Sequence, residues 1–185
     1  DYTAKTYLCA PGEVLAAALP SAERPSARYK VPFTRKELVP YPLTGEQQQI
    51  ADDIHKSREH GHQLHLIFGV TGSGKTEIYI DLAKRAIDAG RSVIYLVPEI
   101  SLSSQIYERL YNIFGNDLII YHSHLTAPQR LHNWNRFYSG DAKIAVGTRS
   151  AVFLQCPDLG LIIIDEEHDG SFKEHSTPRY NARRI

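Results

Sequence analysis

The stretch Phe68-Gly69-Val70-Thr71-Gly72-Ser73-Gly74-Lys75-Thr76 restricts this chain more than any other. From Gly69 it fits G-x-x-x-x-G-K-[ST], the spacing of a phosphate-binding loop. An apolar run, Leu64 to Phe68, comes before it and helix-compatible residues follow. The loop is therefore expected between a buried strand and a helix N-terminus, where backbone N–H groups and the helix dipole favour an anion. Gly69, Gly72 and Gly74 permit positive φ, which lets the backbone wrap closely round phosphate oxygens. In that arrangement Lys75 bridges the β- and γ-phosphates and the Thr76 hydroxyl ligates Mg²⁺. Gly69, Val70, Thr71, Gly72, Ser73, Gly74, Lys75 and Thr76 are thus expected to hold a nucleoside triphosphate.

A chain of 185 residues can bury one proper core. Lysine plus arginine number 21 and aspartate plus glutamate 21, so nucleic-acid binding has to come from a local patch rather than from the net field. No apolar run reaches the length of a membrane span and no secretory signal opens the chain, so no membrane partner and a cytosolic home are expected. Cys9 and Cys156 lie far apart without a C-x-x-C pair, which suggests neither a disulfide framework nor a zinc site. The chain opens on Asp1 and has no methionine, the expectation being an excerpt or a processed piece rather than a complete reading frame.

Residues 1–43 are weakly patterned. Val14 to Leu19 can form a short helix ended by Pro20, and the prolines at 20, 25, 32, 40 and 42 read as an extended linker. At Leu43 the pattern changes. Thr44-Gly45-Glu46-Gln47 has the form of a capping box, followed by Ile50, Ala51 and Ile54 at helical spacing. Beyond Lys75, the residues Ile78, Leu82, Ala83, Ala86 and Ile87 form one stripe, closed by Gly90. Val93 to Val97 reads as a buried strand. Ser101 is placed to cap a helix with Leu102, Ile106, Leu110 and Ile113 inside and Gly115 at its end. A strand at 118–121, a helix opened by Thr126, and apolar runs at 144–146 and 161–164 follow. Strands alternating with helices predict an α/β fold with a mostly parallel sheet covered on both faces.

The run Leu161 to Ile164 leads directly into Asp165-Glu166-Glu167-His168. Carboxylates at the C-terminal end of a buried parallel strand sit where open α/β sheets bind ligands. Asp165 is placed to hold Mg²⁺ and Glu166 to polarise an attacking water, two tasks that phosphoryl transfer requires. No base-specificity motif of a GTPase and no kinase catalytic loop is present.

A phosphate loop followed by Asp-Glu-Glu-His resembles the first RecA-like motor lobe of superfamily 2 helicases. The stretches Gly69 to Glu77, Val97-Pro98-Glu99-Ile100-Ser101-Leu102, Val146-Gly147-Thr148-Arg149-Ser150-Ala151-Val152-Phe153, and Asp165 to Lys173, with His122-Ser123 before Leu125, are similar to the PriA family of replication-restart helicases. The resemblance covers 43–185 densely, and Tyr7 to Pro20 resembles the end of that family's N-terminal DNA-binding region. It divides the chain into that tail (1–20), a Pro-rich linker (21–43) and an ATP-binding RecA-like lobe (44–185). The short linker departs from the family, which usually carries a winged-helix domain there. The second motor lobe, the arginine finger and the zinc module of the family would lie beyond Ile185. The fragment is therefore not expected to unwind DNA by itself, and zinc is expected only in the downstream part.

The resemblance implies an ATP- and Mg²⁺-dependent 3′-to-5′ helicase or translocase on single-stranded and forked DNA, working with primosome and single-strand-binding proteins in the bacterial cytoplasm. Carried over by motif, Lys75, Asp165 and Glu166 are catalytic, Thr76 and Asp165 hold the metal, and Asp165, Glu166, Glu167 and His168 form the acidic box. His168 resembles the residue that links hydrolysis to the DNA side. Gln47 resembles an adenine-contacting glutamine, or serves only the helix cap. Arg149 resembles a contact to the single-strand backbone, or is a surface arginine. Phe172, Lys173, Arg179 and Tyr180, with Arg183 and Arg184 beside them, interleave rings and cations as single-strand binders do, and resemble an aromatic-rich DNA-sensing loop. Two rival readings are a RecG-like translocase on duplex or branched DNA, and an ATP-dependent switch that docks a protein partner. The pairs His60/His62 and His122/His124 read as exposed loop residues, and Trp134 with Phe137 as core.

Overall fold

Four short strands, β1 (Ser92–Leu96), β2 (Leu118–Tyr121), β3 (Ile144–Gly147) and β4 (Leu159–Ile164), pair in the order β2-β3-β1-β4. Every pairing is parallel. This is a computed structural model, and it describes residues 2–7, 9–20, 35–36, 38–58, 61–99, 104–176 and 179–184. Most of the Pro-rich linker, His60, and the proposed cap Ser101 with Leu102 lie outside the described residues.

The helices divide between the two faces of the sheet. Alternate residues of β1 point to opposite sides, and all five are buried, as a parallel strand covered on both faces requires. Val93, Tyr95 and Val97 pack against Tyr79, Ile80, Ala83 and Ala86 of α4 (Lys75–Asp88) and against Tyr107 and Leu110 of α5 (Ser104–Phe114). Ile94 and Leu96 face Phe137 of α6 (Ala127–Tyr138), together with Ala151, Leu154 and Phe172. Each such side chain contributes about 1.5–3 kcal/mol by leaving water. The observed α/β sheet between helices is the one predicted, and Phe137 is fully buried with Trp134 packed beside it.

Helix α3 (Gly45–Ser57) starts at the predicted box: the Gln47 N–H donates to the Thr44 hydroxyl at 3.4 Å, and the Thr44 N–H to Gln47 Oε1 at 2.9 Å. Its contact face is narrow. Ala51 is buried against Ile78 and Leu82, whereas Ile50 points to solvent. An Arg85–Asp52 ion pair at 2.7 Å ties α4 to α3. Two helices precede the lobe, α1 (Tyr2–Tyr7) and α2 (Pro11–Ala18), and the second lies where the short apolar piece before Pro20 is expected.

The run before the phosphate loop departs from expectation. Residues 63–70 belong to no strand, and Leu64, Leu66 and Phe68 are 93%, 75% and 97% exposed. Only Ile67 turns inward, against both Ile78 and Leu161 clusters. A strand exists through hydrogen bonds to a neighbour, and among the described residues none pairs with this segment. Edge strand β4 pairs with β1 alone, and it leaves Leu159 and Ile162 partly exposed.

Candidate nucleotide site

The loop between 69 and 74 forms a tight arch ahead of α4. Gly72 and Gly74 take φ of 81° and 83°, the left-handed region where a side chain is strained. Gly69 does not. Its requirement is steric, because a Cβ there would sit 2.7 Å from the Ser73 hydroxyl. The Lys75 ammonium folds into the arch and donates to the carbonyls of Gly69 (2.7 Å) and Val70 (3.1 Å). Gln47 braces the outside: its Nε2 donates to the Ser73 carbonyl at 3.1 Å while its Oε1 serves the α3 cap. The capping role of Gln47 is thus formed, and the same side chain steadies the loop.

The acidic box sits at the C-terminal end of β4. Tyr95 on the neighbouring strand donates its hydroxyl to Asp165 Oδ2 at 3.1 Å, and the Glu166 N–H donates to Asp165 Oδ1 at 3.0 Å. Burial raises the pKa of Asp165, opposed by these two hydrogen bonds and by the Lys75 ammonium. Burial, with the charges of Asp165 and Glu166, pushes the Tyr79 hydroxyl up to about 12. Burial and Asp165 likewise hold Tyr95 well above its ordinary value. Glu166 has φ of 48°, the sole non-glycine residue in the left-handed region among the described residues. Such a conformation costs on the order of 1–3 kcal/mol and is held by its surroundings, here by the Asp169 N–H on the Glu166 carbonyl at 2.9 Å. His168 is largely exposed, with Nε2 3.6 Å from Glu166 Oε2.

Oxygen donors suit Mg²⁺, which keeps several waters and takes few protein ligands beside the phosphates. Thr76 and Asp165 fit that set, and the glycine arch fits a phosphate chain. Among the described residues no group of three or more His, Cys, Asp or Glu is arranged for a metal. His122 and His124 contact one another edge to face, and His122 is half-buried rather than exposed.

The region after the box differs most from the sequence expectation. Phe172 is fully buried in the core beneath Leu154 and Tyr180. Tyr180 is 5% exposed and meets Phe153 edge to face at 4.8 Å. Neither ring is open to a base in this arrangement, because a short hairpin of β5 (Lys173–Glu174) and β6 (Tyr180–Asn181) folds both inward. Arg149 is equally engaged. Its guanidinium donates to the Ser171 carbonyl at 3.0 Å, pairs with Glu174 at 2.9 Å and lies 3.6 Å from Glu99. It braces the loop instead of projecting to solvent. Lys173 and Arg179 are exposed, and with Tyr180 and Arg183 they line a cleft of about 710 Å³. Arg183 also donates to the Glu167 carbonyl at 2.7 Å, joining the hairpin to the acidic box.

Three contributors were not singled out from the sequence. Tyr95 is the single aromatic residue of buried strand β1, and its hydroxyl needs a partner. Glu77, next to Thr76, forms an ion pair with Arg109 of α5, and Tyr41 covers that arginine at 5.1 Å. Glu174 is the carboxylate that engages Arg149.

The family described as DEAD/DEAH box helicase matches residues 44–181, well over half of the chain. The whole chain is 40% identical to "Replication restart protein PriA" of Treponema pallidum (strain Nichols), covering 28% of that relative. It is 39% identical over 81% of its length to the protein of the same name in Bacillus subtilis (strain 168), covering 19% of it. The Helicobacter pylori (strain ATCC 700392 / 26695) protein is 48% identical over 66% of the chain, and 20% of that relative is covered. The chain thus spans 19–28% of the length of these relatives. Among the described residues no helix is long and apolar enough to cross a membrane.

Proposed function

The chain belongs to the DEAD/DEAH box helicases, and from that premise we propose that it is the first motor lobe of a PriA-type replication-restart helicase. ATP is the fuel, single-stranded and forked DNA the track, and 3′-to-5′ movement the output. The observation that carries this reading is the chain of contacts from the loop's helix to the acidic box: Tyr79, one turn after Lys75, meets Tyr95 edge to face at 6.0 Å, and the Tyr95 hydroxyl donates to Asp165 at 3.1 Å. Two packed rings thereby join the helix that follows the phosphate arch to the acidic box. Mg²⁺, when bound, neutralises charge on the β- and γ-phosphates. For their part, Lys75 moves its ammonium from loop carbonyls to phosphate oxygens, and Thr76 and Asp165 hold the metal side. Glu166 orients the attacking water from its constrained backbone. Gln47 contacts adenine, and its bond to the Ser73 carbonyl supports that reading by holding the side chain against the arch.

The DNA side belongs to the hairpin after the box. Exposed Lys173 and Arg179 meet phosphates, while Phe172 and Tyr180 anchor the hairpin from inside. Arg183 and Arg149 then transmit its position to Glu167 and Glu99. Primosome and single-strand-binding proteins as partners, bacterial cytoplasmic location, a zinc module elsewhere, and the division at 20 and 43 complete the proposal.

The test is Glu166→Gln in the longer polypeptide whose first lobe this is. ATP affinity is expected to survive and DNA-stimulated hydrolysis to fall on the order of 10²–10³-fold. Parallel loss of binding and turnover would make Glu166 structural. Unwinding of forks with defined arms separates the restart helicase from a junction translocase, and absence of any DNA stimulation would favour a protein-docking switch.

A further inference from the structure

Strand register places Tyr95 opposite Ile163, two residues before Asp165 on the neighbouring strand. In a parallel sheet, residues two apart share a face and are separated by about 6.6 Å. A tyrosine side chain is of that length, so Tyr95 reaches along the face of β4 and ends at the Asp165 carboxylate, 3.1 Å from Oδ2. The other oxygen, Oδ1, is held at 3.0 Å by the Glu166 N–H. Both oxygens are thus fixed by one donor each, and each retains acceptor capacity for a metal-bound water.

The support behind this contact is rigid. Tyr95 is 1% exposed, between Val93 and Val97. Tyr79, on the first turns of α4 just after the phosphate arch, meets its ring edge to face at 6.0 Å. A phenylalanine at 95 would pack equally well in this apolar setting. A hydroxyl at that depth costs free energy unless bonded, and the Asp165 carboxylate is its hydrogen-bond acceptor.

We propose that Tyr95 is a positioning residue that fixes the Asp165 carboxylate for Mg²⁺ coordination, so that metal-dependent nucleotide binding depends on one buried hydroxyl of β1. The proposal rests on the reading of Asp165 as the metal-side carboxylate. Without the hydroxyl, the carboxylate keeps its Glu166 contact but turns about its last side-chain bond, and its metal-facing geometry is lost.

The experiment is a ¹H–¹⁵N chemical-shift titration of the 185-residue chain with ATP, which reads affinities into the millimolar range. It is run in excess EDTA and again at saturating Mg²⁺, for wild type, Tyr95→Phe, Tyr95→Leu and Asp165→Asn. Tyr95→Phe is expected to lower affinity about tenfold to a hundredfold with Mg²⁺, the scale of one hydrogen bond to a charged group, and to leave the EDTA affinity within about twofold. Tyr95→Leu should show the same metal-specific loss. Equal losses in both media, or normal behaviour of Tyr95→Phe beside a defective Tyr95→Leu, would overturn the proposal by assigning the residue to packing alone. No change in either Tyr95 variant overturns it as well. If Asp165→Asn has no metal-specific effect, the reading of the site itself fails. If Asp165→Asn has one and Tyr95→Phe does not, only the positioning role falls.

Discussion

Replacing Phe172 with alanine separates a core ring from a DNA-facing ring. Its side chain is fully buried among Leu154, Tyr180, Ala182 and Phe137. An aromatic ring of this kind removes at least about 150 Å² from water, worth roughly 4 kcal/mol at about 25 cal/mol per Å². Truncation of buried phenylalanine costs about 3–5 kcal/mol once the residual cavity is included. That is a large part of the ~5–15 kcal/mol by which domains are stable. The assay is equilibrium urea unfolding of the 185-residue chain followed by the fluorescence of Trp134, its single tryptophan, which packs against the same core. Exposed Lys173→Ala is the matched control and should stay within about 0.5 kcal/mol of wild type. A loss below about 1 kcal/mol for Phe172→Ala would refute the buried assignment and return the ring to the DNA-facing role that its neighbours in sequence suggest.

Thr44→Ala removes the hydroxyl that accepts from the Gln47 N–H and leaves the backbone N–H of position 44 on Gln47 Oε1, so thermal unfolding should show a loss of about 0.5–2 kcal/mol; an unchanged melting temperature would argue that water satisfies the first turn equally well. Burial, helped by the neighbouring His124, holds the His122 pKa below its usual 6.5, so the unfolded chain takes up the proton first as pH falls. Stability should therefore decline below pH 6.5 down through the lowered folded value, and the decline should be shallower in His122→Gln when urea midpoints are compared between pH 7 and pH 5.

Local signals were legible in the sequence because their physics is local. The capping box at Thr44 formed as written, since it links residues three apart. The phosphate arch is set by Gly72, Gly74 and Lys75 within a few residues of one another. Apolar periodicity located the strands and the buried faces of α4 and α6, and the alternation of strand and helix required a parallel sheet. Tertiary structure decided what depends on partners distant in sequence. Leu64 to Phe68 has strand composition but no paired neighbour among the described residues, so Leu64, Leu66 and Phe68 stay in water and only Ile67 packs inward. Phe172 and Tyr180 have the composition of a base-stacking loop, yet the hairpin at Lys173–Glu174 and Tyr180–Asn181 turns both into the core. Arg149 has the motif of a DNA contact, and Glu174 and Ser171 engage its charge instead. Tyr95 meets Asp165 across 70 positions of sequence, because strand register, not spacing along the chain, brings a hydroxyl on β1 to the end of β4.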